Sequence, residues 1–197
     1  LTYMFNGHHT FNQDISAWNV SKVTNMQYVF HEARAFNQDL SGWDTGAVFS
    51  MKKMFENADA FNNTLDWALA PNCESMFQHT NALVGVGFGG MDTSRVTSMD
   101  GMFQNAAVFN GDIGTWDVSN VVNFRHTFKD AVLFNADISA WNVSSATDMY
   151  HMFWDAGVFN QDISGWDVRK VTNMGYMFAN ADAFGYNIGA WDVSSVT

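Results

Sequence analysis

Hydrophobic residues recur along this chain with a period of about 25 residues, and the repeat runs from one end to the other. One position is phenylalanine in all eight units. We call it the Phe column: Phe5, Phe30, Phe55, Phe77, Phe103, Phe128, Phe153 and Phe178. A unit this short cannot bury its apolar side alone, so a repeat of this length predicts units that stack on their neighbours. The pattern therefore predicts a single solenoid over residues 1–197, with about eight 25-residue units.

Three further columns are apolar and complete the predicted core. The second aromatic column is Phe11, Phe36, Phe61, Val84, Phe109, Phe134, Phe159 and Phe184. The Ile column is Ile15, Leu40, Leu65, Phe88, Ile113, Ile138, Ile163 and Ile188. The Trp column is Trp18, Trp43, Trp67, Met91, Trp116, Trp141, Trp166 and Trp191, so that Trp154 is the only tryptophan outside it.

Within a unit, the spacing of apolar residues predicts two short elements. Met26, Val29, Phe30 and Ala33 have the one-sided spacing of a two-turn helix. Thr24 or Asn25, which comes just before, could cap it, and equivalent residues precede the other Met-Phe pairs. Ile15, between polar neighbours, is typical of a short strand with one buried face. The predicted fold is thus an α/β repeat solenoid of about eight coils, each with a short parallel β-strand and a short helix.

The period breaks between Leu65 and Met91, where the chain also has its only proline and its only cysteine. Glycines replace most of the usual polar residues there, which predicts a bend or a loosened coil over residues 65–91. Leu1 and Thr197 lie in phase with the repeat, and neither end has a polar capping unit. Stacked repeats need such caps, so we expect this chain to be a segment of a longer protein whose ends allow self-assembly.

Composition excludes several classes of partner. Nine basic residues against twenty acidic residues give a formal charge of −11, which argues against binding to nucleic acid or to an anionic membrane surface. No run of 18 apolar residues is present, so no membrane span is expected. A single cysteine, Cys73, rules out a disulfide within the chain.

The long repeated motif Phe-Asn-Gln-Asp-Ile-Ser-x-Trp-Asn/Asp-Val-x-Lys-Val-Thr-Asn-Met, at residues 11–26 and 159–174, resembles a bacterial surface-protein repeat of about 25 residues. That family includes mycoplasma lipoproteins and is similar to the BspA-type leucine-rich repeats. The resemblance implies a leucine-rich-repeat-like solenoid that is extracellular or on the cell surface, with adhesion as its usual proposed role. It brings no catalytic residues with it.

The most suggestive polar feature is a row of carboxylates beside the Ile column. We call its members the acidic row: Asp14, Asp39, Asp112, Asp137 and Asp162. Thr64, Gly87 and Asn187 occupy the same position in the other complete units. Stacked carboxylates repel one another, so something should offset their charge. The row could bind a partner, could coordinate Ca²⁺, or could accept backbone hydrogen bonds in turns.

Two other polar columns are predicted to be structural. A second row of Asp and Asn follows the Trp column, and its free exchange of Asp for Asn fits turns that need only the side-chain oxygen. Asparagine also follows most residues of the second aromatic column, which predicts a ladder of side-chain amides along the stack. It comprises Asn12, Asn37, Asn62, Asn110, Asn135 and Asn160.

No group of residues favours catalysis or a resident metal. His126 and His151 share a column in adjacent units and should lie near each other, but no column supplies the third and fourth ligands that a metal site needs. Nucleophile, phosphate-loop and metalloprotease motifs are absent. We therefore expect a non-catalytic protein with no cofactor that binds a protein or glycan partner. The alternatives are a structural stalk, fibre or sheath element, and a calcium-stabilised solenoid.

Overall fold

A computed structural model describes all residues, Leu1–Thr197. The chain winds into eight stacked coils, which we number 1 to 8 by their member of the Phe column. Coil 2 covers residues 26–50, and coils 5 to 8 begin at Met99, Phe124, Met149 and Met174. Seven successive face-to-face contacts of the Phe column, with ring centroids 5.3–5.8 Å apart, join each coil to the next.

The predicted fold class of α/β solenoid is wrong, and with it the leucine-rich-repeat-like architecture. The chain has no α-helix and no sheet. Its only regular element is a short 3₁₀ helix at Phe88–Gly90. Strand pairing is limited to isolated parallel bridges, which mostly join one position of successive coils: Asn25, Ser50, Asn72, Ser98, Asn123, Asp148 and Asn173. One more bridge joins Ala68 to Asp92.

The segment predicted to be a helix is a run of tight turns. In coil 2, Tyr28 and Glu32 both have left-handed backbone conformations, with φ of 57°. An α-helix cannot contain such residues at every fourth position, because its hydrogen bonds need right-handed dihedrals throughout. Alternate amides of the segment instead donate to carbonyls of the next coil, as Tyr28 does to Lys52 at 3.0 Å. Asn25 is therefore not a helix cap, and its Oδ1 accepts from the amide of Gln27 at 2.9 Å.

The segment predicted to be a strand has the predicted alternation but not the backbone pairing. Ile15 is buried, while Asp14 and Ser16 on either side are exposed. The amide of Ser16 turns back to the carboxylate of Asp14 at 2.9 Å. Since this turn occupies a donor that a β-ladder would need, no strand forms around Ile15.

The four apolar columns, together with recurring Met, Val and Ala residues, form one continuous core of 53 buried residues, against which most column members of the end coils are partly buried. The Trp column also links coils by hydrogen bonds, since each indole N–H from Trp43 onward donates to the carbonyl of the Ile-column residue in the preceding coil, at 2.8–3.3 Å. One assignment needs correction. Leu83, fully buried, fills the second aromatic column in coil 4, whereas Val84 is 41% exposed. The amide of Val84 bonds to Asn62 Oδ1, as the residue after that column does elsewhere.

The break in the period is accommodated as a loosened coil. Gly85 and Gly87 have left-handed φ of 86° and 79°, and a Cβ on Gly85 would come within 2.5 Å of the Phe109 ring. Only glycine fits this close approach. Cys73 lies fully buried in the column that methionine fills in most coils, and burial raises the pKa of its thiol to about 12.

Candidate binding surfaces

The acidic row lies on the outside of the stack. All five carboxylates are exposed, and each precedes a buried Ile-column residue. In four of them, Oδ1 accepts a hydrogen bond at 2.9–3.1 Å from the amide two residues later, and Asp112 lacks this bond. Thr64 and Gly87 interrupt the row, which leaves a pair of carboxylates on coils 1 and 2 and three on coils 5 to 7.

Hydrogen bonds lower the pKa of four of the five carboxylates in the row. The amide and hydroxyl of Ser16 lower the pKa of Asp14, and those of Ser41 do the same for Asp39. Repulsion from Asp14 raises the pKa of Asp39, but it is the smallest of the effects on that group. A carboxylate that accepts such bonds is stabilised in its charged form. The turn alone can therefore hold these side chains ionised at neutral pH.

The other polar columns close turns and join coils, as predicted. In the second row, the side-chain oxygen accepts from the amide two residues later in coil after coil, as at Asn19, Asp117 and Asp192. The asparagine ladder is also confirmed. Its Oδ1 atoms accept from backbone amides of the next coil at 2.8–3.1 Å, and the ladder is broken only after Val84. The second row therefore closes turns within a coil, and the asparagine ladder holds successive coils in register.

No three or more His, Cys, Asp or Glu side chains come together in a way that could hold a metal ion. His126 and His151 do lie side by side, with ring centroids 5.3 Å apart. Nδ1 of His126 pairs with a carboxylate oxygen of Asp100 at 3.1 Å. The structure also contains no helix of the length and hydrophobicity that a membrane crossing requires.

A second outer surface was missed from the sequence. We call it the aromatic cluster, and it consists of Tyr150, His151, Trp154 and Tyr176 on coils 7 and 8. Two cations of coil 6 lie over its rings, 5.0 and 5.3 Å from the ring centroids. The available signal was Trp154 itself, the one tryptophan outside the Trp column, because a large aromatic residue with no place in the core must lie elsewhere.

Comparison with known proteins gives a family but no function. No curated protein matches the chain. The family described as "Mycoplasma protein of unknown function, DUF285" matches twice, at residues 1–83 and 71–191. Together the two matches cover nearly the whole chain, including the loosened coil. The chain therefore belongs to this family of Mycoplasma proteins of unknown function.

Proposed function

We propose that this chain is a non-catalytic binding module, which attaches to protein or glycan partners at a cell surface through the acidic row. The observation that carries the proposal is the exposure of five carboxylates at one column, most of them held by a turn through Oδ1. The second oxygen, Oδ2, has no hydrogen-bond partner in those four and can accept from a ligand. The surface location rests on the resemblance of the repeat to bacterial surface proteins.

The stack gives the row two properties that suit binding. Four of the five carboxylates are held by a turn before a ligand arrives, so little conformational entropy is lost on binding. Equivalent groups also recur from coil to coil, which allows weak contacts to add up when the ligand is itself repetitive. Three consecutive coils, with Asp112, Asp137 and Asp162, give the longest uninterrupted stretch.

The chain offers a matched control for testing this surface. One variant replaces all five residues of the acidic row with Asn, which keeps the oxygen that closes the turn. The control variant makes the same replacement in the second row, at Asp44, Asp92, Asp117, Asp167 and Asp192. Both variants lose five negative charges and keep the Asx turns. Binding is measured on arrays of immobilised glycans and matrix proteins and on host cells.

We expect the acidic-row variant to bind at least about tenfold more weakly, because several contacts are lost together. The second-row variant should bind within about twofold of the original chain. Binding by the acidic-row variant as strong as that of the original chain, with an unchanged unfolding temperature, would show that the acidic row is not the site. Equally weakened binding by both variants would show that net charge, rather than the acidic row, governs binding.

A structural stalk, fibre or sheath element is the second candidate, favoured by contacts that recur between every pair of successive coils, such as the stacked rings of the Phe column at 5.3–5.8 Å. In such a stack the number of coils sets the length. Electron microscopy at rising concentration distinguishes the candidates, since ordered filaments favour the structural role and separate short rods favour the binding module.

A further inference from the structure

His151 lies at the centre of the aromatic cluster. Its ring stacks on Tyr150 with centroids 3.6 Å apart, and meets the ring of Trp154 nearly at a right angle at 4.0 Å. Tyr176 and His126 approach it edge-on at 5.4 and 5.3 Å. Aromatic rings therefore surround the imidazole.

The imidazole is buried without a hydrogen-bond partner. His151 is only 8% exposed, and neither Nδ1 nor Nε2 has a partner. A neutral imidazole has one donor and one acceptor nitrogen, and leaving either unsatisfied in a buried position is destabilising. Such a side chain in an otherwise well-bonded stack calls for a functional explanation.

A protonated His151 would find no free carboxylate to pair with, because those around the cluster are already engaged. Asp130 is paired with Lys129 at 2.6 Å. Asp100 is shared by His126 and Arg125. Asp148 is bound by Arg125 at 3.1 Å, and Asp155 accepts from the side-chain amide of Asn180 at 2.8 Å.

The charges that face the ring act in the same direction. Burial lowers the pKa of His151, and His126, Lys129 and Arg125 lower it further. Only Asp130 raises it, and its effect is the smallest. The pKa of His151 in the folded protein therefore lies below the ordinary histidine value near 6.5, and the ring is neutral at neutral pH.

We propose that His151 is a pH-sensitive switch, whose protonation drives the ring out from between Tyr150 and Trp154 and opens the aromatic cluster. An imidazolium has two N–H donors, and neither finds an acceptor where the ring now lies. Outside the cluster both can be hydrated. Movement of the ring exposes the faces of Tyr150 and Trp154. The protonated His151 then adds a third cation beside Arg125 and Lys129. Mild acid thus changes the chemistry of this surface while the core columns stay in place.

The sign of the effect on stability follows from the lowered pKa. The unfolded chain takes up a proton on His151 as the pH falls through about 6.5, whereas the folded chain takes it up at lower pH. Stability is therefore lost as the pH falls from that value to the folded pKa, and the loss is complete below it. The switch does not depend on the acidic row, which lies beside a different column.

The test uses a variant that the repeat itself supplies. Tyrosine occupies the column of His151 in coils 1, 2 and 8, with the same left-handed φ of 55–61°. The substitution His151→Tyr should therefore keep the backbone and the aromatic packing while removing the titration. As a control, His79→Asn removes a different histidine with left-handed φ, at a column where Asn57 and Asn105 occur naturally.

Unfolding temperature is measured for each protein between pH 7 and pH 5. From pH 7 to pH 5, the unfolding temperature of the original chain and of His79→Asn should fall by about 2 °C or more beyond the fall measured for His151→Tyr. In the original chain labelled with 5-fluorotryptophan, the ¹⁹F resonance of Trp154, identified with Trp154→Phe, should shift over the same pH range. The resonance of Trp141 in the core should not. The same pH dependence in His151→Tyr as in the original chain would overturn the proposal, and so would a Trp154 resonance that stays fixed in the original chain.

Discussion

Asn105 distinguishes the turn-based coil from the helical coil that the apolar spacing predicts. It lies in coil 5 with a left-handed φ of 57°, and its amide donates to the carbonyl of Lys129 at 2.8 Å. Its side chain makes no hydrogen bond within the chain. Replacing Asn105 with Ala or with Gly therefore tests the backbone conformation with little change in side-chain contacts.

The two conformations predict opposite orders of stability. A left-handed residue with a Cβ costs about 1–2 kcal/mol, and Gly avoids this cost at an entropic expense of about 0.5–1 kcal/mol. Since Asn tolerates the left-handed region better than Ala does, Asn105→Ala should be destabilised by about 1 kcal/mol and Asn105→Gly should stay near the original chain. In a helix, Ala would be the more stable of the two by about 1 kcal/mol.

The assay is equilibrium unfolding followed by tryptophan fluorescence, which reports exposure of the buried Trp column. A difference of about 1 kcal/mol corresponds to about 2–4 °C in a chain of this length, so Asn105→Ala should melt that much below Asn105→Gly. The same pair of substitutions at Gln104, whose φ is not positive, is the control, and there Ala should be the more stable. If Ala is also the better residue at position 105, the left-handed turn is wrong.

Three further predictions concern packing, register and charge. Phe128→Ala should lower the free energy of unfolding by about 3–5 kcal/mol, because Phe128 is fully buried between two coils. Phe178→Ala should lower it by roughly half as much, because Phe178 stacks on one coil only. Equal losses in urea unfolding would contradict the stacking account. Leu83→Ala should cost about 2–5 kcal/mol while Val84→Ala costs under about 0.5 kcal/mol, and the reverse order would restore the register predicted from the sequence. Hydrogen bonds from Arg169 lower the pKa of Asp167 to about 2, so Asp167 should stabilise the fold above pH 4 and lose that effect between about pH 4 and pH 2. Over that range, the unfolding temperature of Asp167→Asn should fall less than that of the original chain. An identical fall would refute the assignment.

The interior of the fold could be predicted from the sequence because burial depends on which side chains recur, not on backbone conformation. Phe30, Leu40 and Trp43 were placed in the core by periodicity alone, and all three are buried. The backbone could not be predicted in this way. Spacings of three and four residues arise in an α-helix and also in a chain that reverses its φ every fourth residue. The sequence did contain a signal, since Gly7, Asn57 and Asp130 share one of the left-handed columns and these residue types tolerate that conformation best.

The same distinction applies to the surfaces. The acidic row was found because it repeats, and the turns that hold Asp14 and Asp137 were among its predicted explanations. The aromatic cluster does not repeat, since it depends on His151 and Trp154, three residues apart in coil 7, meeting Tyr176 of coil 8. The repeat places residues of one column near each other in successive coils, as it does His126 and His151, but it does not show which residues of different columns meet. The path of the backbone determines those contacts.

The two surfaces follow from one constraint on the stack. Inter-coil amides, two or three side-chain turns in most coils and four apolar columns fix most positions of the repeat, so much of the variation falls on side chains that point outward, including those of the Met-Phe turns. A recurring surface such as the acidic row suits a repetitive ligand, to which each coil that carries a carboxylate makes the same contact. A surface that occurs once, such as the one around His151, suits a single event such as a change of protonation. Because coils 6 to 8 carry both, with Asp137 and Asp162 in the acidic row and His151 in the cluster, binding by the row should persist in His151→Tyr at neutral pH. A loss of binding in that variant at pH 7 would mean that the two surfaces are one site.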